Sequence, residues 1–187
     1  YYPLSILMLA GIKDILIIVN KGAVNQFKKI LQNGENLGIK IEYAEQDKPR
    51  GLPDAFKIGK SFIGNQNVAL ILGDNFFYGQ SLSEKLKKIT NLKKGATIFV
   101  HPVKNPSRFG VVTLKKEKII SLIEKPKKPM SNLAVTGLYF FDNSVVKKTL
   151  SLKKSKRKEF EIIDLLKIYK KSNTLKFEHL GRGAAWL

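Results

Sequence analysis

Short apolar runs alternate with amphipathic ones along the first hundred residues. Asp14-Ile15-Leu16-Ile17-Ile18-Val19 is almost continuously apolar, which predicts a strand buried on both faces. Residues 25–31 follow with Phe27, Ile30 and Leu31 at helical spacing, so a helix is predicted there. The theme repeats as strands over 39–44, 68–72 and 97–103, with helices over 54–62 and 82–89. Strands that alternate with helices predict an α/β, Rossmann-like domain: a mixed, mostly parallel sheet flanked by helices, open and doubly wound. In such sheets ligands bind beyond the carboxyl ends of the strands.

The rhythm changes after Pro106. Strands are predicted over 109–114 and 119–124, and the polar Lys115-Lys116-Glu117-Lys118 between them suits a hairpin turn. A further strand over 133–141, helices over 144–150 and 159–169, and a strand over 174–180 complete the pattern. No internal repeat or low-complexity linker interrupts it, so residues 1–187 are expected to form one domain.

Composition narrows the class. With 187 residues, 43% of them hydrophobic, the chain is long enough for a sizeable core. It has no cysteine, which removes disulfides and thiolate chemistry and fits a reducing cytoplasm. The longest apolar run, 134–141, is too short to span a bilayer, so no membrane partner is expected. Tyr1-Tyr2-Pro3-Leu4 lacks the charged head of a signal peptide and an initiator methionine, so the chain is expected to begin inside a longer protein.

The formal charge of +19 raises nucleic acid as a partner. That charge is almost all lysine, with arginine at Arg50, Arg108, Arg157 and Arg182 alone. Base readers generally use the bidentate guanidinium as well as bulk charge, and no stacking platform stands out. No nucleic-acid partner is expected. The lysines read as solvated faces whose field would help draw in phosphates.

Four stretches have chemistry to offer, each with a bland alternative. Leu72-Gly73-Asp74-Asn75 closes a predicted strand, where a carboxylate can hold a hard divalent cation and Asn75 can reach a sugar or phosphate oxygen. An ordinary Asp-containing turn has the same pattern. In Gln46-Asp47-Lys48-Pro49-Arg50-Gly51-Leu52, the Gln46 amide can pair with a base edge, and Gly51 lets a ligand approach the backbone, unless this is a plain surface loop. Ile123-Glu124-Lys125-Pro126 sets an acid for sugar hydroxyls beside a base for a phosphate. Neighbouring strand residues point to opposite faces, so a shared site needs a turn there; otherwise the two are a solvated pair. Gly110, in Arg108-Phe109-Gly110-Val111-Val112, offers close approach of a ligand or marks a bulge at a strand start.

Taken in order, these motifs resemble a known family. Pro49-Arg50-Gly51-Leu52-x-Asp54-Ala55-Phe56, Leu72-Gly73-Asp74-Asn75-Phe76-Phe77-Tyr78-Gly79, Phe109-Gly110-Val111-Val112 and Glu124-Lys125-Pro126 come first. Thr136-Gly137-Leu138-Tyr139-Phe140-Phe141-Asp142 and Gly181-Arg182-Gly183-x-Ala185-Trp186-Leu187 follow. In this order and spacing the chain resembles the sugar-1-phosphate nucleotidyltransferases, and among them the glucose-1-phosphate thymidylyltransferases. The opening 1–12 is similar to the helix that follows their signature loop.

The resemblance implies attack of the phosphate oxygen of glucose 1-phosphate on the α-phosphorus of dTTP, with pyrophosphate leaving. Positioning, metal and cationic charge would carry most of that catalysis. It implies that Gln46 and the Gly51 backbone read thymine and that Asp74 holds Mg²⁺ at the nucleotide. Gly110, Glu124 and Val135 would hold glucose, Lys125 and Arg157 its phosphate, and Trp186 would stand near the sugar pocket. Lys125 and Asp74 are thereby the implied catalytic pair, and a homo-oligomer, commonly a tetramer, is implied for the full-length protein.

Two departures go with the resemblance. The family's first strand and G-G-x-G-T-R-L loop lie ahead of Tyr1, and its Asp-Thr-Gly-Thr, with a second metal aspartate, lies after Leu187. The domain is therefore expected to be truncated at both ends, and this chain to have little or no activity. In Arg157-Lys158-Glu159-Phe160-Glu161-Ile162-Ile163 the family usually has R-G-E-L-E-I-T, so Lys158 replaces a turn glycine beside Arg157. A uridylyl preference and, more remotely, a nucleic-acid module or a non-catalytic remnant are the alternatives.

Overall fold

The computed structural model describes residues 1–181 and 183–187; Arg182, in the last of the motifs above, lies outside the described residues. In chain order the elements are α1 (Tyr2–Leu9), β1 (Asp14–Asn20), α2 (Val24–Leu31), β2 (Lys40–Gln46), α3 (Asp54–Ile58), α4 (Lys60–Ile63) and β3 (Val68–Ile71). Next come β4 (Phe77–Tyr78), α5 (Leu82–Thr90), β5 (Ala96–Pro102), β6 (Gly110–Lys115), β7 (Lys118–Glu124) and β8 (Leu133–Phe141). Helices α6 (Val145–Leu150) and α7 (Ile162–Lys171), then β9 (Leu175–His179) and β10 (Ala185–Trp186), close the chain. Among the described residues no helix is long and apolar enough to cross a membrane.

The α/β class stands, and the sheet is mixed rather than mostly parallel. β1 pairs with β2 in parallel, and β5 with β9. The remaining pairings are antiparallel, because β8 inserts between strands that the alternating pattern sets side by side. It meets β3 and β6 along one edge and β5 along the other, giving the order β7-β6-β8-β5-β9 with β3 on β8. β8 is buried along nearly its whole length, as expected of a central strand whose side chains meet helices on both faces. One face packs on α7 and α6 through Ile98, Val112, Phe141, Ile163 and Leu166, and the other on α5 through Leu86, Phe99, Leu138 and Phe140.

The hairpin between β6 and β7 turns at Lys116 and Glu117, which both have positive φ (47° and 56°), the twist a two-residue connection requires. The predicted helix over 54–62 is broken into α3 and α4 at Gly59. The predicted apolar face of α2 is largely open: Leu31 is buried, but Phe27 and Ile30 are exposed.

β1 also departs from expectation, since only Ile15 and Val19 are buried in it. A slot explains this. β1 pairs with β2 alone and β3 with β8 alone, and between β1 and β3 runs a cavity of about 860 Å³ lined by Ile15, Leu16, Ile18, Val68, Leu70 and Ile71. Both strands turn an unpaired backbone edge toward this space.

Candidate functional site

At one end the slot opens into a second cavity, of about 490 Å³, and the two share Leu16, Ile18, Ala55, Leu70 and Ile71. The smaller one gathers the candidate site residues: Gln46, Gly51, Glu124, Lys125 and Arg157 all line it. It lies where β2, β3 and β7 end, as the open-sheet pattern predicts.

Glu124 and Lys125 share the cavity because the backbone turns sharply between them. Lys125 has φ of +42°, a left-handed conformation, and its N–H donates to the Phe109 carbonyl at 3.0 Å. That hydrogen bond ends β7 and swings Lys125 to the side that Glu124 faces. Burial raises the Glu124 pKa, and the charge of Glu161 raises it further, against the lowering influence of Lys125 and Arg157.

Arg157 lies in a loop ahead of α7, which begins three residues later than the pattern predicts. Its guanidinium is bracketed by Glu159 at 3.0 Å, Glu124 at 3.8 Å and Glu161 at 3.9 Å. Lys158 takes φ of +63°, the left-handed turn that glycine would adopt without cost, and its N–H donates to Ser155 O at 2.9 Å. Ser155 Oγ in turn donates to Glu161 Oε1 at 2.7 Å and accepts the Arg157 N–H at 3.1 Å. Arg157 is therefore held over the cavity by its own loop.

The two glycines behave differently from the reading that a ligand needs their space. At Gly51, with φ of +98°, an added Cβ would run into the Phe160 carbonyl, and Phe160 N–H donates to Arg50 O at 2.8 Å. Gly51 is thus required where the 46–53 loop is clamped against the Arg157 loop. Beside Gly110, the space of a Cβ is filled by Ile163 of α7 and by Glu124 Oε2 at 3.3 Å. Gly110 starts β6 and sits opposite Glu124, and the register shift of this pair falls instead between Thr113 and Leu114.

Asp74, Asn75, Val135 and Trp186 do not line the smaller cavity. Val135 has its side chain in the core of β8, so a ligand could meet only its backbone. Asp74 is exposed beyond the end of β3, and its Oδ1 accepts from Asn75 Nδ2 at 2.9 Å. Among the described residues no three metal-ligating side chains cluster. A single exposed carboxylate fits an ion such as Mg²⁺, which takes one or two carboxylates and fills its remaining positions from phosphates and water; it makes no closed cage. Trp186 reaches Asn75 through its indole and packs on Phe109 at 5.2 Å between ring centroids. Phe109 precedes Gly110 and accepts from Lys125, so Trp186 adjoins the cavity through it.

Sequence reasoning missed Glu159, Glu161 and Phe160 as parts of the site. The dense charge of Lys156-Arg157-Lys158-Glu159-Phe160-Glu161, three bases and then two acids, was the available signal.

The model of the nucleotidyl transferase family matches residues 1–187. The chain belongs to that family. Among its relatives, the glucose-1-phosphate thymidylyltransferase of Neisseria meningitidis serogroup A is 52% identical over all of this chain. That of Mycobacterium tuberculosis H37Rv is 48% identical, again over the whole chain. The chain spans 65% of the length of each of these curated relatives. A solved structure from Bacillus anthracis, described as a glucose-1-phosphate thymidylyltransferase in complex with a sucrose, superposes with a TM-score of 0.90 at 35% identity. It is matched over 100% of this chain and 74% of its own. A UDP-glucose pyrophosphorylase complexed with UDP-glucose shares the fold at a TM-score of 0.75 and 22% identity, over 91% of this chain and 74% of its own. This nucleotidyltransferase chain is thus similar to thymidylyltransferases across its entire length.

Proposed function

We propose that this chain carries the sugar-phosphate side of a nucleotidyltransferase that makes dTDP-glucose and pyrophosphate from dTTP and glucose 1-phosphate. The observation that carries the reading is the convergence of Gln46, Gly51, Glu124, Lys125 and Arg157 on one cavity at the strand ends, in a chain about half identical to proteins named for that reaction. A phosphate oxygen of the sugar phosphate attacks the α-phosphorus, a new P–O bond forms, and the bond to the β-phosphate oxygen breaks as pyrophosphate leaves.

In this reading Lys125 and Arg157 hold the sugar phosphate and oppose the charge that develops in the transition state. Arg157 exchanges carboxylate partners for phosphate, which its planar fork suits. Glu124 accepts hydroxyl hydrogens of glucose, aided by Gly110 and the Val135 backbone, with Trp186 as a neighbouring wall. Gln46 and the Gly51 backbone meet the thymine. Asp74, with Asn75 beside it, holds Mg²⁺, which supplies charge neutralisation on the phosphates when bound. The protein acts in the cytoplasm, and its full-length form assembles with copies of itself.

The slot between β1 and β3 also belongs to this reading. It is where the strand that the resemblance implies ahead of Tyr1 would complete the sheet, bringing its Gly-rich loop to the mouth of the smaller cavity. The 187-residue chain is then expected to release pyrophosphate at least about a thousandfold more slowly than a protein extended to its relatives' length, since each lost phosphate donor is worth a factor of roughly 10²–10³. Equal rates would contradict the proposal. A substrate panel on the extended protein decides the base: preference for UTP over dTTP would replace the thymidylyl reading with a uridylyl one.

A further inference from the structure

Asn75 is nine-tenths buried, and its side chain bonds to two distant segments and to its own neighbour. Its Oδ1 accepts the Trp186 indole N–H at 2.6 Å and the Gly137 backbone N–H at 3.1 Å, while its Nδ2 donates to Asp74 Oδ1 at 2.9 Å. Trp186 belongs to the short pair β4–β10, and Gly137 lies in the middle of β8, where its carbonyl also accepts from Leu72 N–H at 3.0 Å. Gly137 leaves the amide its place, since an added Cβ would overlap Asn75 Oδ1. Both acceptor directions of that oxygen are occupied, so the side chain is committed inward rather than toward a sugar.

We propose that Asn75 is a positioning residue: its amide locks the Trp186 ring to β8 with the oxygen and orients the Asp74 carboxylate with the nitrogen, setting both with one side chain. The inference deepens the reading of Asp74 and Trp186 as parts of the transfer site, and it rests on that reading for its consequence in catalysis. The two halves are chemically separable. Aspartate at position 75 keeps an oxygen for the indole and for Gly137 but loses the donor to Asp74, and sets a like charge beside it. Alanine removes both halves.

Trp186 is the only tryptophan, so its indole N–H resonance and its emission report the first half without interference. The test is made on the 187-residue chain. Indole hydrogen exchange should accelerate at least tenfold in Asn75→Ala, with red-shifted emission, and stay near the wild-type rate in Asn75→Asp. Gly137→Ala, which displaces the amide by another route, should reproduce the alanine result. An unchanged indole in both Asn75→Ala and Gly137→Ala overturns the proposal. Should Asn75→Ala fail to melt cooperatively, Asn75→Asp and Gly137→Ala still decide it by opposite outcomes, retention and loss; the same outcome in both overturns it.

The second half is read in the protein extended to its relatives' length. There Asn75→Asp should raise the Mg²⁺ concentration for half-maximal rate at least tenfold while its indole remains protected. An unchanged Mg²⁺ requirement with a protected indole overturns the Asp74 half. If instead Asp74→Ala in that protein leaves the Mg²⁺ requirement untouched, the reading of Asp74 has failed, and the indole result for Asn75 stands apart from it.

Discussion

Lys125 and Lys158 both hold a left-handed backbone that glycine adopts at no steric cost, and they differ in what the strain achieves. At Lys125 the conformation carries an ammonium into the cavity; at Lys158 no ion pair or side-chain hydrogen bond is formed among the described residues. Lys158→Gly should therefore stabilise the chain by roughly 0.5–1 kcal/mol, the left-handed cost less the extra freedom of glycine when unfolded, seen as a melting temperature raised by a few degrees. Gly51→Ala should do the reverse. It drives a Cβ into the Phe160 carbonyl, costs about 1–3 kcal/mol, and lowers the melting temperature by several degrees. Glu124 yields a pH prediction. Its folded-state pKa is raised, so between the ordinary carboxylate value and the raised one the folded chain binds more protons than the unfolded chain, and stability falls as pH climbs through that window. Glu124→Gln is accordingly expected to melt higher than wild type at neutral pH, with the difference closing once the pH falls below the ordinary carboxylate range. A variant less stable than wild type at neutral pH would contradict this.

At the scale of elements, Asp142 ties β8 to its neighbours. Its carboxylate accepts from Gly95 N–H at 2.6 Å, Tyr169 Oη at 3.0 Å and Ser144 N–H at 3.1 Å, and also from Ser144 Oγ. Burial raises its pKa, but these hydrogen bonds outweigh burial and the net shift is downward. A depressed carboxylate contributes stability above its unfolded value and loses it as pH falls through the folded one. Asp142→Ala should thus cost about 1–3 kcal/mol at neutral pH and flatten the acid limb of the stability curve, read from thermal melts across pH. The strands themselves were legible: periodicity places β8 at the bounds observed, and the run 14–19 finds β1. What periodicity could not convey was partnership. Nothing in Val68–Ile71 says that it lies against β8 rather than β1, because a continuously apolar strand reads alike beside any neighbour. The two-residue strands β4 and β10 are too short for any period. The site was half legible: Gln46, Glu124, Lys125 and Arg157 converge as the motifs suggest, whereas the three carboxylates around Arg157 and the inward commitment of Asn75 depend on side-chain geometry that spacing does not encode.

For the whole molecule, the division between a well-buried sheet around β8 and the two-strand unit β1–β2 sets where the structure is weakest. The slot between them leaves unpaired backbone edges facing it from both sides, an arrangement that invites pairing with another strand. Amide exchange should grade accordingly, with slot-facing amides of β1 and β3 exchanging orders of magnitude faster than those of β8. Uniform protection across the three strands would contradict an open slot. The same slot leads into the cavity on which the proposed chemistry converges. Assigning Lys125 and Arg157 to the sugar phosphate is checked by pyrophosphate release from dTTP and glucose 1-phosphate in the protein extended to its relatives' length, alongside its Arg157→Ala and Lys125→Ala variants. Turnover with dTTP is expected, and each substitution should lower it by about 10²-fold or more. Turnover that ignores both substitutions, or none at all with these substrates, would contradict the assignment.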